Sequence, residues 1–167
     1  MRLVYGPVSI AQVGKFGWRI CASTCICIDG GCENAFITHP HHYDGQGASA
    51  PNSLESVKLG EWEVVPVPVY DIKKGQRGYG YVIRGPASIF ITGDSDLTQE
   101  LVKVKNVDIL IIAMGDRGTM TPEEAADAVM SIRPKITIPY HYAARSQYAL
   151  FRDLAQPYTQ IAAIWRG

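Results

Sequence analysis

Val107-Asp108-Ile109-Leu110-Ile111-Ile112-Ala113-Met114, followed by Thr121-Pro122-Glu123-Glu124 and then by Ile136-Thr137-Ile138, places a strand, a helix start and a second strand in succession. An apolar run of that length without alternation reads as a buried strand. Thr121 supplies a capping hydroxyl before a proline at the first helical position, with two acids in the first turn, so a helix begins there and continues with helical periodicity over 125–132. Pro134 stops it. The second strand, 136–138, is again apolar and ends at Pro139-Tyr140-His141-Tyr142. Residues 147–154 suit another helix, and 161–165 a terminal strand.

Upstream, the chain is strand after strand. Runs 2–13 and 18–28 are β-rich and are separated by Gly14-Lys15-Phe16-Gly17, a hairpin signal. Residues 35–38 give a third strand, 45–53 a loop rich in Gly, Ser, Ala and Pro, and 61–70, 80–84 and 88–92 three further strands with a polar turn at 75–78. A short helix is expected at 98–105. A strand-rich half followed by an alternating half implies a layered α/β (α+β) domain over residues 1–167.

The bulk composition narrows the function classes. A chain of 167 residues can bury about 70% of its unfolded surface in one core. Sixteen Lys and Arg balance sixteen Asp and Glu, so there is no electrostatic footprint for nonspecific nucleic-acid or membrane binding. No stretch approaches the roughly 20 apolar residues of a membrane span, and Met1-Arg2-Leu3 leads into strand-like sequence, not into a secretory apolar region. A cytoplasmic location is the expectation. Self-association is left open; Trp165 is a candidate contact between copies, although packing on a sheet is the stronger expectation for it.

Three of the four histidines fall in Thr38-His39-Pro40-His41-His42-Tyr43-Asp44-Gly45, directly after Ala35-Phe36-Ile37. Neutral imidazole nitrogens and an anionic oxygen so tightly spaced suit Zn, Mn or Fe. Gly93-Asp94-Ser95-Asp96 follows the strand at 88–92, and His141 follows the strand at 136–138. Loops at strand ends are where α/β folds place chemistry, so the cluster at 39–44, Asp94 and His141 are expected to converge on one sheet edge.

Cys21, Cys25, Cys27 and Cys32 lie within one short window, but without the paired CxxC spacing of a zinc ribbon. In an extended segment Cys21, Cys25 and Cys27 share parity, which favours small buried hydrophobes packing a sheet, with a disulfide involving Cys32 as the alternative.

Several ordered segments resemble the metallo-β-lactamase superfamily, and within it a group of small metal-dependent hydrolases similar to L-ascorbate 6-phosphate lactonase. Phe36-Ile37-Thr38-His39 to Asp44 resembles the ligand loop THxHxDH, and Ile91-Thr92-Gly93-Asp94-Ser95-Asp96 a GDTD motif. Asp108-Ile109-Leu110-Ile111-Ile112, Met120-Thr121-Pro122-Glu123-Glu124-Ala125-Ala126 and Pro134-Lys135-Ile136-Thr137-Ile138-Pro139-Tyr140-His141-Tyr142 resemble the group's strand, MTPEEA helix and PKxxIPMHY strand, in that order. Cys27-Ile28-Asp29 resembles its early LIDP.

The resemblance implies a four-layer αββα sandwich with a metal site at one edge. There, one or two Zn or Mn ions polarise a carbonyl or phosphoryl oxygen and lower the pKa of a bound water, giving a hydroxide that attacks a small ester, lactone or phosphate-bearing substrate. It further implies that Asp94 and His141 bind metal, that Asp44 binds a second metal or orients the nucleophile, and that His39, His41 and His42 supply the loop imidazoles. The loop departs from the motif. Keeping His42 and Asp44 in register puts Pro40 at the first His and Gly45 at the last; keeping His39 and His41 puts Tyr43 at the Asp. Asp71 stands where many relatives carry His. With four histidines in all, a complete dinuclear centre is short of imidazoles, so one ion is expected in preference to two. The alternative is a catalytically degenerate relative with a binding or regulatory role. The additional domain with which nucleases of the superfamily clamp their substrate finds no length or basic surplus here.

Overall fold

The computed structural model describes residues 1–39, 48–49, 55–72, 74–115 and 118–167. Among these, one sheet is built from β1 (Arg2–Tyr5), β2 (Val8–Val13), β3 (Gly17–Cys21), β4 (Cys25–Ile28), β5 (Ala35–Phe36) and β6 (Ala48–Ser49), side by side in chain order. The other contains β7 (Val57–Leu59), β8 (Trp62–Asp71), β9 (Gln76–Arg84), β10 (Ser88–Ile91), β11 (Ile109–Ala113), β12 (Ile136–Tyr140) and β13 (Gln160–Ile161), again in order. Neighbours from β7 to β10 are antiparallel, whereas β10, β11, β12 and β13 run parallel.

Two apolar layers explain the strand sequences. Between the sheets, Ile10, Trp18, Ile20, Ile26 and Ile28 meet Trp62, Tyr81, Ile83, Ile89, Ile111 and Ile138. On the far side of the second sheet, Val82, Phe90, Leu110 and Ile112 meet α1 (Gln99–Val102), α2 (Pro122–Ile132) and α3 (Arg145–Ala155) through Leu101, Val129 and Phe151. β10 and β11 are therefore covered on both faces, which is why Ile109 to Ala113 carries no polar alternation. The helix at 122–132 begins as its sequence requires: Thr121 Oγ1 accepts from Glu124 N at 3.2 Å, and Thr121 N donates to Glu124 Oε2 at 2.8 Å. None of the helices among the described residues is long and apolar enough to cross a membrane.

Four expectations are corrected. The run 2–13 is a hairpin of two strands, because Gly6 turns the chain at φ 56 ahead of Pro7. The run 18–28 breaks at 22–24, so Cys21 and Cys25 become a cross-strand pair. Cys21, Cys25 and Cys27 do share one face, but it is the face opposite Ile20, Ile26 and Ile28, away from the core between the sheets. They are not free hydrophobes: the disulfides are Cys21–Cys25 and Cys27–Cys32. The terminal strand pairs over 160–161 only, and Trp165 packs against the inter-sheet core.

At the N-terminal end of the parallel strands, Asp108 ties the two sheets together. Its Oδ2 accepts from Ser88 N at 2.9 Å, its Oδ1 lies 2.8 Å from Lys135 Nζ, and Tyr5 of β1 donates to it at 3.4 Å. Partial burial opposes ionisation, but the bonds from Lys135 and Ser88 outweigh it and hold the carboxyl below the usual carboxylate range. A depressed folded pKa contributes stability that is fully present above the unfolded value of about 3.9 and is lost as pH falls through the folded value. Asp108→Asn is thus expected to cost about 1 kcal/mol at pH 7, discounted for partial exposure. Urea unfolding at pH 7 and pH 3 checks it: the gap between variant and parent should close at the lower pH.

Candidate metal centre

β10 ends at Ile91, and the ladder is carried one step further by Thr92, whose N–H donates to Ile111 O at 3.0 Å and whose Oγ1 accepts from Ala113 N at 3.1 Å. Gly93 then turns the chain at φ 63, with Thr38 Cβ and Tyr79 O so close that any added Cβ would stand about 3 Å from each. The turn delivers Asp94 to a buried position, 1% exposed. The loop beyond is pinned to the end of β8: Asp96 N donates to Tyr70 O at 3.0 Å, and Asp96 Oδ2 accepts from Ile72 N at 2.6 Å.

Two strands away, β12 ends at Tyr140 and His141 takes a left-handed conformation, φ 72. This brings His141 Nε2 to 3.7 Å from Asp94 Oδ2. Phe16, at the tip of the β2–β3 hairpin, stacks on the imidazole with centroids 4.6 Å apart and planes at 21°. Beneath the pair, the fully buried Tyr140 packs its ring edge-on to Trp18. Its burial first, and the Asp94 and Asp29 carboxylates second, push the phenol well above its ordinary pKa, so its hydroxyl keeps its proton.

His39 is positioned from below. Asp29, itself at φ 59, accepts Thr38 N with Oδ1 and Thr38 Oγ1 with Oδ2, both at 2.7 Å. Thr38 O accepts from Tyr79 N at 2.9 Å and Ile37 O from the Tyr81 hydroxyl, so the segment is laid along β9. The His39 ring is buried over Gly78, where a Cβ would coincide with the imidazole. Gly78→Ala must displace His39, and an overpacking loss of about 1–3 kcal/mol is expected in urea unfolding. An unshifted midpoint would mean that His39 is not seated there.

The structure thus brings Asp94 and His141 together and holds His39 against β9. No group of three His, Cys, Asp or Glu side chains able to hold an ion occurs among the described residues. His41, His42 and Asp44 lie outside them. Asp71 is buried and holds a turn, its Oδ1 accepting from Lys74 N at 3.0 Å. The donor set suits a transition metal in chemistry and in spacing. A separation of 3.7 Å is longer than a hydrogen bond, while two donors about 2.1 Å from one ion at a tetrahedral angle stand about 3.4 Å apart. Sequence reasoning missed Phe16 and Gly78. The signal for Phe16 was an aromatic ring held at the tip of a tight Gly-bounded turn; Gly78 left none.

No family model matches the chain. Among curated proteins it is 35% identical over 69 residues to a UPF0173 protein of Pyrococcus furiosus, covering 41% of this chain and 33% of that protein. It is 28% identical over 114 residues to a UPF0173 metal-dependent hydrolase of Methanopyrus kandleri, covering 59% and 50%. The chain thus spans between a third and a half of the length of these relatives. Among solved structures, Igni18, a metallo hydrolase of Ignicoccus hospitalis, superposes with TM-score 0.76 at 16% identity, covering 96% of each chain. The metallo-β-lactamase fold protein YhfI of Bacillus subtilis gives 0.74 at 13%, covering 93% of this chain and 92% of that one.

Proposed function

We propose that this chain, which has the metallo-β-lactamase fold and UPF0173 metal-dependent hydrolases among its homologues, is itself a metal-dependent hydrolase of a small ester, lactone or phosphate-bearing substrate. The observation that carries the reading is the Asp94–His141 pair, one buried carboxylate and one imidazole 3.7 Å apart at the ends of β10 and β12. Asp94 and His141 would hold one ion, Zn or Mn, with His39, His41 or His42 completing the set and Asp44 orienting the attacking group. Such an ion, when bound, supplies Lewis-acid polarisation and acidifies coordinated water.

The chain's own residues do the rest. Asp29 and Thr38 fix the root of the loop that carries His39. Phe16 covers one face of His141, which restricts the ring and excludes water from that side. Tyr140, fully buried and edge-on to Trp18, gives the pair a packed aromatic floor. The test is metal content after incubation with Zn or Mn and gel filtration, followed by assay on esters, lactones and phosphodiesters. About one equivalent is expected from a four-coordinate site. Failure to retain either metal would instead support a degenerate relative with a binding role.

A further inference from the structure

The two disulfides of the first sheet hold different things. Cys21 and Cys25 face each other across β3 and β4, where the ladder from Trp18 and Ile28 to Cys21 and Cys25 already joins the strands. Cys27 is bridged instead to Cys32, which belongs to no strand. The loop so closed turns through three successive left-handed residues, Asp29, Gly30 and Gly31, at φ 59, 109 and 99. The chain then rejoins the sheet through β5, which is two residues long. Once released, a loop with two glycines has many other conformations to occupy.

This loop reaches the metal centre through one side chain. Asp29 is buried, and its two oxygens accept from Thr38 N and Thr38 Oγ1, both at 2.7 Å. Thr38 O in turn accepts from Tyr79 N at 2.9 Å. His39, the next residue, is seated over Gly78 on the same strand as Tyr79. Bridge, carboxylate, Thr38 and His39 thus form one line of contacts. Access to the bridge is one-sided: Cys27 is fully buried, whereas Cys32 is partly exposed between the exposed Gly31 and Glu33. An attacking thiolate therefore meets Cys32 Sγ.

We propose that Cys27–Cys32 is a redox latch on the seat of His39, opened by a dithiol and closed again by a disulfide in the same exchange reversed. One sulfur of the dithiol attacks Cys32 Sγ, the Cys27–Cys32 bond breaks, and Cys27 leaves as a thiolate that takes up a proton. The second sulfur then displaces Cys32. Two electrons have passed to the bridge, two protein thiols have formed, and the dithiol ends as its own disulfide. With the loop open, Asp29 no longer fixes Thr38, and His39 loses its orientation. The consequence for a bound metal rests on the hydrolase reading; the latch does not, so the two fail separately.

Amide hydrogen exchange on chelator-treated protein tests the latch, with Cys27→Ser/Cys32→Ser set against Cys21→Ser/Cys25→Ser. Each variant opens one small loop, of sequence separation 5 or 4, so global opening should quicken alike in both. Thr92 N–H, bonded to Ile111 O in the core sheet, reports it. Thr38 N–H and Tyr79 N–H should exchange about tenfold faster in the first variant than in the second. The parent protein in dithiothreitol should match the first variant at these two amides and recover on reoxidation, and it stands in for a serine variant that does not fold. Asp29→Asn, which turns one of the two acceptors into a donor, should quicken Thr38 with the bridge intact. Equal rates in the two serine variants, or Thr38 and Tyr79 quickening no more than Thr92, would overturn the latch. Zn retention against a chelator is read on the serine variants, because free thiolates themselves bind Zn. It should fall about tenfold in the first variant only. A parent that holds no metal while the exchange pattern is intact would sink the hydrolase reading and leave the latch standing.

Discussion

Replacing Asp94 by alanine is expected to strip the metal and to lower hydrolysis by more than about 100-fold, since loss of a group that merely supports a ligand already costs 10- to 100-fold. Asp94 is 1% exposed and its Oδ2 is turned to His141 at 3.7 Å. Its removal takes away the carboxylate that faces the imidazole. Asp94→Asn keeps the shape and should also weaken metal binding, because a neutral amide oxygen replaces the negative charge that a buried dication needs. His141→Ala should act alike on metal content. Metal analysis and circular dichroism on the same samples decide the matter: full metal occupancy in folded Asp94→Ala would remove Asp94 from the centre.

Reducing both disulfides should lower stability by about 4 kcal/mol, roughly 2 from each small loop on the chain-entropy estimate. The loops are short, with sequence separations of 4 and 5. For a domain of this size that corresponds to a fall in Tm of about 10 °C. The effect should reach the centre as well, because the Cys27–Cys32 loop contains Asp29, whose two oxygens hold Thr38 next to His39. Thermal unfolding with and without reductant, and of Cys27→Ser/Cys32→Ser, measures it. Four titratable thiols in the untreated protein with an unchanged Tm would count against the pairing. Such bridges belong to oxidising compartments or to the interior of hyperthermophiles.

How much was legible in the residues differs between the two halves of the chain. β11 and α2 declared themselves, because an apolar run covered on both faces and a Thr-Pro-Glu-Glu start carry their structure locally. The hairpin at Gly6 and the break at 22–24 did not, since strand propensity continues across both and only pairing to neighbours locates the turn. The cysteine parity was read correctly, but parity cannot tell which face is the core. Asp94 and His141 were legible as strand-end residues that converge on one sheet edge; the left-handed backbone at His141 and the turn at Gly93 that bring them together were not. The seat of His39 over Gly78 depends on an atom that is missing from a neighbouring strand, and no local pattern reports that.

β10, β11 and β12 run parallel, β11 and β12 stopping level at Ala113 and Tyr140 and β10 two residues earlier at Ile91, so the segments carrying Asp94, Met114 and His141 leave the sheet on the same rim. Strands with every side chain enclosed, such as Ile109–Ala113, tolerate little change, while the segments that leave them lie outside the strand ladder. The fold therefore separates what must be kept from what can be altered. Lengthening a rim segment beyond the residues that carry Asp94 and His141 should leave the sheet register unchanged, which makes this chain a suitable scaffold for loop grafting.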